Sequence, residues 1–165
     1  MMSRIRNRLR HGLLATALCV AAPAAYAAAT CTVSAVGPAF GVYNPLNPVP
    51  TLSNGSVTAT CNYVSGGATT VTMVSSYSAG SSGSFASRTM LSGVNRLNYN
   101  LYFDAAFTQI RGDGTGGSQT GGATLTVSSS SRTASVTSTI YGRMPAAQNA
   151  VPGSYADTIV VTITY

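Results

Sequence analysis

Residues 153–165, GSYADTIVVTITY, decide the fold because they alternate like a half-buried β-strand. One face carries the larger side chains Tyr155, Ile159, Val161, Ile163 and Tyr165, and the other is mostly small or hydroxylated, with Ala156, Thr158, Thr162 and Thr164. No turn and no further strand follow Tyr165 in the sequence. We therefore expect an apolar strand with an unpaired edge, and such edges promote aggregation unless another segment covers them.

The rest of the chain reads as a series of short antiparallel strands. The clearest, RLNYNLYFDA at residues 96–105, points Leu97, Tyr99, Leu101 and Phe103 one way and Asn98, Asn100, Tyr102 and Asp104 the other. FASRTML, at residues 85–91, is predicted to be a short or edge strand. About seven strands separated by turns roughly every ten residues indicate an all-β sandwich.

Three segments are predicted to lie outside regular strands. Residues 41–50 contain three prolines, which cannot donate to a central ladder, so they form an edge or an extended connection. Asn54 and Gly55 form a strong tight-turn signal ahead of a strand at 56–64. The glycine-rich stretch 111–122 is predicted to be a mobile loop, in which Arg111, Gly112 and Asp113 form a solvated hairpin tip rather than an integrin-binding motif.

The N-terminus has the three parts of a secretory signal peptide. Four arginines within the first ten residues precede an apolar run, and the small-x-small triplet at 25–27 follows it. The apolar run is shorter than the roughly 20 residues of a membrane span. We expect cleavage after Ala27, with Ala29 as the alternative, which leaves one domain at residues 28–165. The chain is then exported through the inner membrane to the periplasm and needs no membrane span.

The charges that remain after export exclude several classes of function. Residues 28–165 carry five arginines and three aspartates and no Lys, Glu, His or Trp. A net charge of +2 does not indicate nucleic-acid binding. The many serines have no histidine or lysine to activate them, and Asp104, Asp113 and Asp157 are widely spread. An enzyme is therefore not expected, and neither is a metal site or another cofactor.

Cys31 and Cys61 are the two cysteines outside the signal peptide. An even pair in an exported protein predicts a disulfide. It would close a loop of about 30 residues, which the chain-entropy estimate values at roughly 3–4 kcal/mol.

The C-terminal third also resembles a known family. LNYNLYFD, IYGRMPAAQ and PGSYADTIVVTITY occur in order, with CTVS near the start. Together they resemble the spore coat protein U domain family, which includes subunits of archaic chaperone–usher pili. The matching motif positions are Tyr141, Gly142, Arg143, Pro145, Gln148, Gly153, Tyr155 and Asp157.

The resemblance implies an incomplete immunoglobulin-like sandwich that lacks its last strand. A periplasmic chaperone would first supply that strand, and a neighbouring pilus subunit would replace it after transfer through an outer-membrane usher. The accepting edge would then comprise Ile159, Val161, Ile163 and Tyr165.

The resemblance implies a non-enzymatic subunit of a surface fibre, in adhesion and biofilm formation. The alternative is a stand-alone secreted or surface binding protein of the same fold. Since only three residues separate Ala27 from Cys31, we expect this subunit to receive a strand without donating one, as a fibre tip or a chain-ending subunit would.

Overall fold

The computed structural model describes residues 28–165, so the predicted signal peptide at 1–27 lies outside the described residues. The described chain forms eight strands: β1 Ala29–Val36, β2 Thr51–Tyr63, β3 Thr69–Tyr77, β4 Arg88–Ser92, β5 Asn95–Tyr102, β6 Gly121–Val127, β7 Thr133–Met144 and β8 Val161–Thr164. One turn of 3-10 helix, Gly80–Ser82, follows β3. The all-β prediction is confirmed, and the proline-rich residues 41–50 are a connection outside the strands as expected, although they contain a turn at 45–46 and are not extended throughout.

Two antiparallel sheets make up the sandwich. The larger sheet has the order β1-β2-β7-β5-β4, and the smaller has the order β6-β3-β8. Residues 85–91 were predicted to include an edge strand, and β4 indeed lies at the edge of the larger sheet. The strand predicted at 96–105 is present as β5, which ends at Tyr102, and its Leu97, Tyr99 and Leu101 are buried as predicted. Asn100, predicted to face outward, is also buried, because its side chain accepts a hydrogen bond from Arg88.

The core between the sheets has two parts. The groove cluster consists of the buried residues Val57, Tyr77, Leu97, Tyr99, Leu101, Ile140 and Met144. The disulfide cluster consists of Ala59, Cys61, Met73, Leu125 and Val127. Ile163 of β8 packs against both clusters, so this strand contacts both parts of the core.

The predicted disulfide is confirmed between β1 and β2. Cys31 lies directly opposite Cys61 in the strand register, and the two are covalently joined. Cys61 is completely buried in the disulfide cluster. The bond therefore fixes the edge strand β1 onto the larger sheet.

The predicted tight turn at Asn54 and Gly55 is wrong, because β2 runs through both residues without interruption. β7 pairs with β2 on one side across these positions, which holds the backbone extended. Gly55 serves a different purpose. A Cβ atom there would clash with the Val36 carbonyl oxygen and would lie 2.9 Å from the Pro38 nitrogen, where the chain leaves β1. The glycine is required for this close approach of two backbone segments.

We expect Gly55→Ala to destabilise the domain by roughly 1–3 kcal/mol, because backbone atoms must move to admit the methyl group. Gly67→Ala is the matched control, since a Cβ at Gly67 would have no atom within 4 Å. Urea unfolding of both variants measures the difference. Equal unfolding midpoints for the two variants would contradict this role of Gly55.

The glycine-rich segment after β5 differs from its prediction as a mobile loop. The Arg111 side chain is only 1% exposed. The backbone N–H of Arg111 donates to the Leu101 carbonyl at 2.9 Å, and the N–H of Gly112 donates to the Gln119 carbonyl at 2.8 Å. Buried hydrogen bonds thus fold this segment against the sandwich. Because Arg111 is buried, the Arg-Gly-Asp tripeptide is not a solvated hairpin tip and is not presented for recognition.

The predicted strand at 153–165 is shorter than expected. Regular pairing covers only Val161–Thr164. Upstream, Ala156 forms an isolated bridge with Leu91 of β4, so this segment touches the larger sheet before it joins the smaller one. The crossing between sheets explains why the alternating sequence does not form one continuous strand.

Candidate functional site

The free edge of β8 is defined by its register with β3. In the described part of the chain β8 pairs only with β3, and Ser78 N–H donates to the Val160 carbonyl at 2.9 Å. Since adjacent residues of an antiparallel strand direct their backbone groups to opposite sides, Val160, Thr162 and Thr164 face β3. The backbone groups of Ile159, Val161 and Ile163 therefore point away from β3, toward an unpaired edge.

An open groove of about 1150 Å³ borders this edge. One wall is formed by residues 35–43, at the end of β1 and the start of its connection to β2. The other wall is formed by residues 150–157 with Ile159 and Val161. Tyr77, Met90, Leu97, Tyr99, Leu101, Ile140 and Met144 form the floor, and all of them belong to the groove cluster or pack against it. The site is thus an extended apolar cleft beside an unpaired strand edge.

Several inward-facing side chains near the cleft are not fully buried. Val33 lies opposite the buried Ala59, so it faces the interior, yet it is 42% exposed. Ile159, Val161 and Ile163 pack against the groove cluster but are only partly buried. Tyr165 is 62% exposed, with its hydroxyl 3.5 Å from the Cys31 carbonyl oxygen. The inward-facing side chains between β1 and β8 are therefore partly open to solvent.

Phe40 occupies part of the space above the larger sheet. Its ring meets Tyr99 edge-on, with 5.9 Å between ring centroids. Gly142 in β7 makes room for it, because a Cβ at Gly142 would lie 2.8 Å from Phe40 Cζ and 2.9 Å from Pro38 Cβ. This motif position therefore has a steric reason to be glycine.

Of the other predicted motif residues, Gly153, Tyr155 and Asp157 line the groove, whereas Tyr141, Arg143, Pro145 and Gln148 do not. The Gln148 side chain accepts from the Asn98 N–H at 2.7 Å and donates to the Asn98 carbonyl at 2.9 Å. The Pro145 carbonyl accepts from the Tyr43 hydroxyl at 3.0 Å. These contacts anchor the segment after β7 to β5 and to the connection between β1 and β2.

The remaining motif positions also make local contacts. The Tyr155 hydroxyl donates to the Val151 carbonyl at 2.8 Å, and a Cβ at Gly153 would lie 2.5 Å from the Ser92 hydroxyl. Tyr141 pairs with Tyr102 across β7 and β5, and the Arg143 guanidinium lies 5.7 Å from the centre of the Phe107 ring. Only the last part of the motif, residues 153–157, therefore contributes to the groove wall.

Asp157 is the charged residue of the groove wall. One carboxylate oxygen accepts from the Ser81 N–H at 2.9 Å and the Ser81 hydroxyl at 2.6 Å, and the other accepts from the Tyr99 hydroxyl at 2.7 Å. Burial by itself would raise the pKa of Asp157, but these bonds and one from Thr158 N–H outweigh it and lower the pKa. Burial and the bond to Asp157 raise the pKa of Tyr99. Asp157 therefore ties the groove wall to its floor as an ionised carboxylate.

We expect Asp157→Asn to make the domain less stable at neutral pH and to flatten its acid dependence. A carboxyl with a lowered folded-state pKa stabilises the fold above its unfolded-state pKa, and that stabilisation disappears as the pH falls through the folded-state value. Urea midpoints of the wild type and the variant should therefore differ at pH 7 and converge as the pH falls below the lowered pKa of Asp157. A difference that is constant across this range would contradict the assignment to the Asp157 charge.

The sequence did not indicate the two most deeply buried polar side chains. Arg88 and Arg111 are 0% and 1% exposed. Arg88 donates to the Asn100 side chain at 2.7 Å, to the Ser78 carbonyl and to the Arg111 carbonyl. Burial lowers the pKa of both arginines. Neither residue lies in a periodic apolar pattern, so no signal in the sequence placed them inside.

Two further properties concern only residues 28–165. This part of the chain contains no group of three His, Cys, Asp or Glu side chains arranged to hold a metal ion. It also has no helix of the length and apolarity that crossing a membrane requires.

A model of the Spore Coat Protein U domain matches residues 15–162 of the sequence. The chain belongs to the Spore Coat Protein U domain family. The resemblance carried by the C-terminal motifs is thereby confirmed. The match to this family begins inside the segment predicted as the export signal. A search of curated proteins found no significant match.

Among solved structures, this Spore Coat Protein U domain is similar to a chain in the crystal structure of the CsuC-CsuE chaperone–tip adhesion subunit pre-assembly complex, from archaic chaperone-usher Csu pili of Acinetobacter baumannii. The TM-score is 0.50 and the sequence identity is 15%. The likeness covers 83% of this chain and 40% of that one. At this identity it shows a shared fold, and the predicted immunoglobulin-like sandwich is confirmed.

Proposed function

We propose that this domain is a non-enzymatic subunit of a chaperone–usher surface fibre, and that it is completed by a strand from another protein. The observation that carries the proposal is the unpaired backbone edge of Ile159, Val161 and Ile163 beside the open apolar groove. A strand added at such an edge gains backbone hydrogen bonds, and its alternate side chains enter the pockets below. Membership of the Spore Coat Protein U domain family and the fold of the pilus-assembly neighbour support it.

The groove defines the donated strand in some detail. Directly opposite residues of paired strands point to the same face, so the donor side chains opposite Ile159, Val161 and Ile163 enter the cleft. They would cover the floor residues of the groove cluster. The donor side chains between them face outward beside Thr162 and Thr164, which are exposed. The donor is therefore an extended segment with apolar residues at every second position.

The expected partners are those that the domain meets in order during export and assembly. The open groove exposes apolar surface as soon as the domain folds, so a periplasmic chaperone supplies the first strand. Transfer through an outer-membrane usher then exchanges it for a strand of a neighbouring subunit. The solved neighbour, itself named as a chaperone complex before assembly, supports the first of these steps. The final location is the cell surface, where the fibre serves adhesion and biofilm formation.

The described N-terminal residues bear on the position in the fibre. Ala28 accepts a hydrogen bond from Val64 N–H at 3.0 Å, β1 begins at Ala29, and Cys31 is tied to Cys61. Residues from Ala28 onward are thus already part of the sandwich and are not free to donate. If the export signal is removed after Ala27, the subunit receives a strand without giving one, as at a fibre tip. Intact mass of the exported protein tests this: additional residues before Ala28, long enough to form a strand, would overturn the tip position.

Expression in the periplasm tests the function itself. Without a partner we expect the domain to aggregate or to be degraded, and with a periplasmic chaperone of the chaperone–usher class we expect a soluble one-to-one complex. A chaperone complex formed by the same chaperone and an unrelated disulfide-bonded domain would show that the assay lacks specificity. A stable, soluble monomer in the absence of any partner would contradict the proposal.

A further inference from the structure

Arg111 lies between the two sheets, behind the floor of the groove. Its guanidinium donates to the Tyr77 hydroxyl at 2.6 Å, and Tyr77 ends β3 of the smaller sheet. It also donates to the Ser138 hydroxyl at 2.8 Å and to the Thr139 carbonyl, both in β7 of the larger sheet. The Nε–H of the same guanidinium donates to the Tyr102 carbonyl of β5 at 3.0 Å. One rigid side chain therefore bonds to both sheets at once.

Aromatic rings enclose this guanidinium. Its central carbon lies 4.0 Å from the centre of the Phe103 ring and 5.1 Å from that of Tyr77. Tyr77 and Phe103 meet edge-on, with 6.3 Å between centroids. The planar fork of arginine fixes the directions of its donors, so the positions of its partners are fixed with it.

Tyr77 connects this cluster to the groove. Its ring lines the groove floor, and it also lines a second cavity of about 390 Å³ that is bordered by β2, β3, β6 and β7. The floor is therefore not backed by a continuous apolar core at this point. The hydroxyl bond to Arg111 is the polar contact that holds the Tyr77 ring in place between the two cavities.

A second buried arginine secures the segment that carries Arg111. Arg88 donates to the Arg111 carbonyl at 2.7 Å and to the Ser78 carbonyl at 2.9 Å. Its other terminal nitrogen donates to the Asn100 side chain at 2.7 Å. The loop after β5 is thus fixed to β5 and to the residue that follows β3. Within residues 28–165 no buried side-chain nitrogen or oxygen lacks a partner.

An apolar cleft without its strand tends to close, because closure removes apolar surface from water. Closing this groove requires the smaller sheet to move toward the larger one at the level of Tyr77. A polar bridge with fixed donor directions resists that movement, since its buried hydrogen bonds would be lost or distorted.

We propose that Arg111 is a positioning residue that holds the two sheets apart at the groove floor, so that the groove stays open when no strand fills it. This rests on the proposed function, in which the groove must accept a strand twice. Arg111 does not touch the donated strand. It acts through Tyr77, whose ring forms part of the groove floor that the donated strand contacts.

The distance between the sheets, measured by pulsed electron paramagnetic resonance, tests this. Spin labels carried on non-natural amino acids replace Asn54 on β2 and Thr72 on β3, two exposed positions, and leave the disulfide intact. The protein is frozen at low concentration directly after refolding, either empty or with a nine-residue peptide in which valine alternates with serine. The variants are Arg111→Met and the milder Tyr77→Phe, which removes only the bond between the sheets. Tyr102→Phe is the control, because its hydroxyl has no hydrogen bond within the described part of the chain.

We expect the wild type and Tyr102→Phe to give the same distance in the empty and the filled state. Tyr77→Phe and Arg111→Met are expected to shift to shorter distances when empty and to return to the wild-type distance when filled. An empty Tyr77→Phe protein with the wild-type distance would overturn the proposal. So would a shift that persists in the filled state, because that indicates a general structural role. Failure of the peptide to bind the wild type would instead count against strand acceptance, and the empty proteins would still decide the role of Arg111.

Discussion

Aspartate in place of Val161 or Ile163 is expected to abolish the soluble complex with the chaperone and the uptake of a donated strand. Both side chains face the interior and pack against the groove cluster, and Ile163 also contacts the disulfide cluster. Once a strand covers them, an aspartate there would be buried without a partner. A buried charge without a partner costs about 3–5 kcal/mol. This corresponds to a loss of strand affinity of more than 100-fold.

Thr162→Asp is the matched control, because Thr162 lies between these two residues and its exposed side chain faces outward. It introduces the same charge into the same strand, and we expect the yield of complex to remain close to that of the wild type. Co-purification from the periplasm followed by titration with the valine–serine peptide measures both effects. Equal loss in Thr162→Asp and Val161→Asp would mean that charge on β8 matters and not the apolar groove.

Removal of the disulfide is expected to have the second-largest effect. The Cys31→Ala and Cys61→Ala double variant frees a loop with a sequence separation of 30 residues. In the chain-entropy model this costs roughly 3–4 kcal/mol, or a decrease in Tm of roughly 10 °C for a domain of this size. β1 lies at the edge of its sheet and forms one border of the space between β1 and β8, so strand uptake should also become slower.

The effect of the disulfide is best measured on the strand-filled protein, where the unfolding transition is not obscured by aggregation. Thr32→Ala, on the same strand but on its exposed face, serves as the control and should shift Tm little. An unchanged Tm in the double cysteine variant would show that pairing with β2 alone fixes β1.

The strand pattern and the disulfide were predictable from the sequence for simple physical reasons. The alternation in β5 reports burial on one face, and the structure buries Leu97, Tyr99 and Leu101 as predicted. The two exported cysteines had only each other as partners. The alternation around Val161 and Ile163 also indicated the apolar face that borders the groove.

The features that the sequence did not predict depend on contacts between distant segments. Gly55 looks like a turn residue locally, yet its role is set by the chain leaving β1 some twenty residues earlier. Arg111 lies among glycines that suggest a mobile loop, and only the partners on β3, β5 and β7 make its burial favourable. The alternation of apolar and polar residues likewise does not predict that residues 153–160 cross from one sheet to the other.

The structural roles of two family motif residues also depend on contacts between distant segments. Gly142 is needed because Pro38 and Phe40 cross above it, and Gln148 is needed because Asn98 offers both a backbone donor and an acceptor. Neither reason can be derived from the spacing of the motif itself. The family match gives only the matching range, and the contacts in the structure supply the reason for each of these residues.

Hydrogen exchange at single backbone amides of the last strand tests strand acceptance most directly. The amides of Thr162 and Thr164 face β3 and should be protected whether the groove is empty or filled. Those of Ile159, Val161 and Ile163 face the free edge, so they should exchange rapidly in the empty protein and become protected when the chaperone or the valine–serine peptide is bound. Protection of these three amides in the empty protein, or no gain in their protection upon binding, would contradict the account.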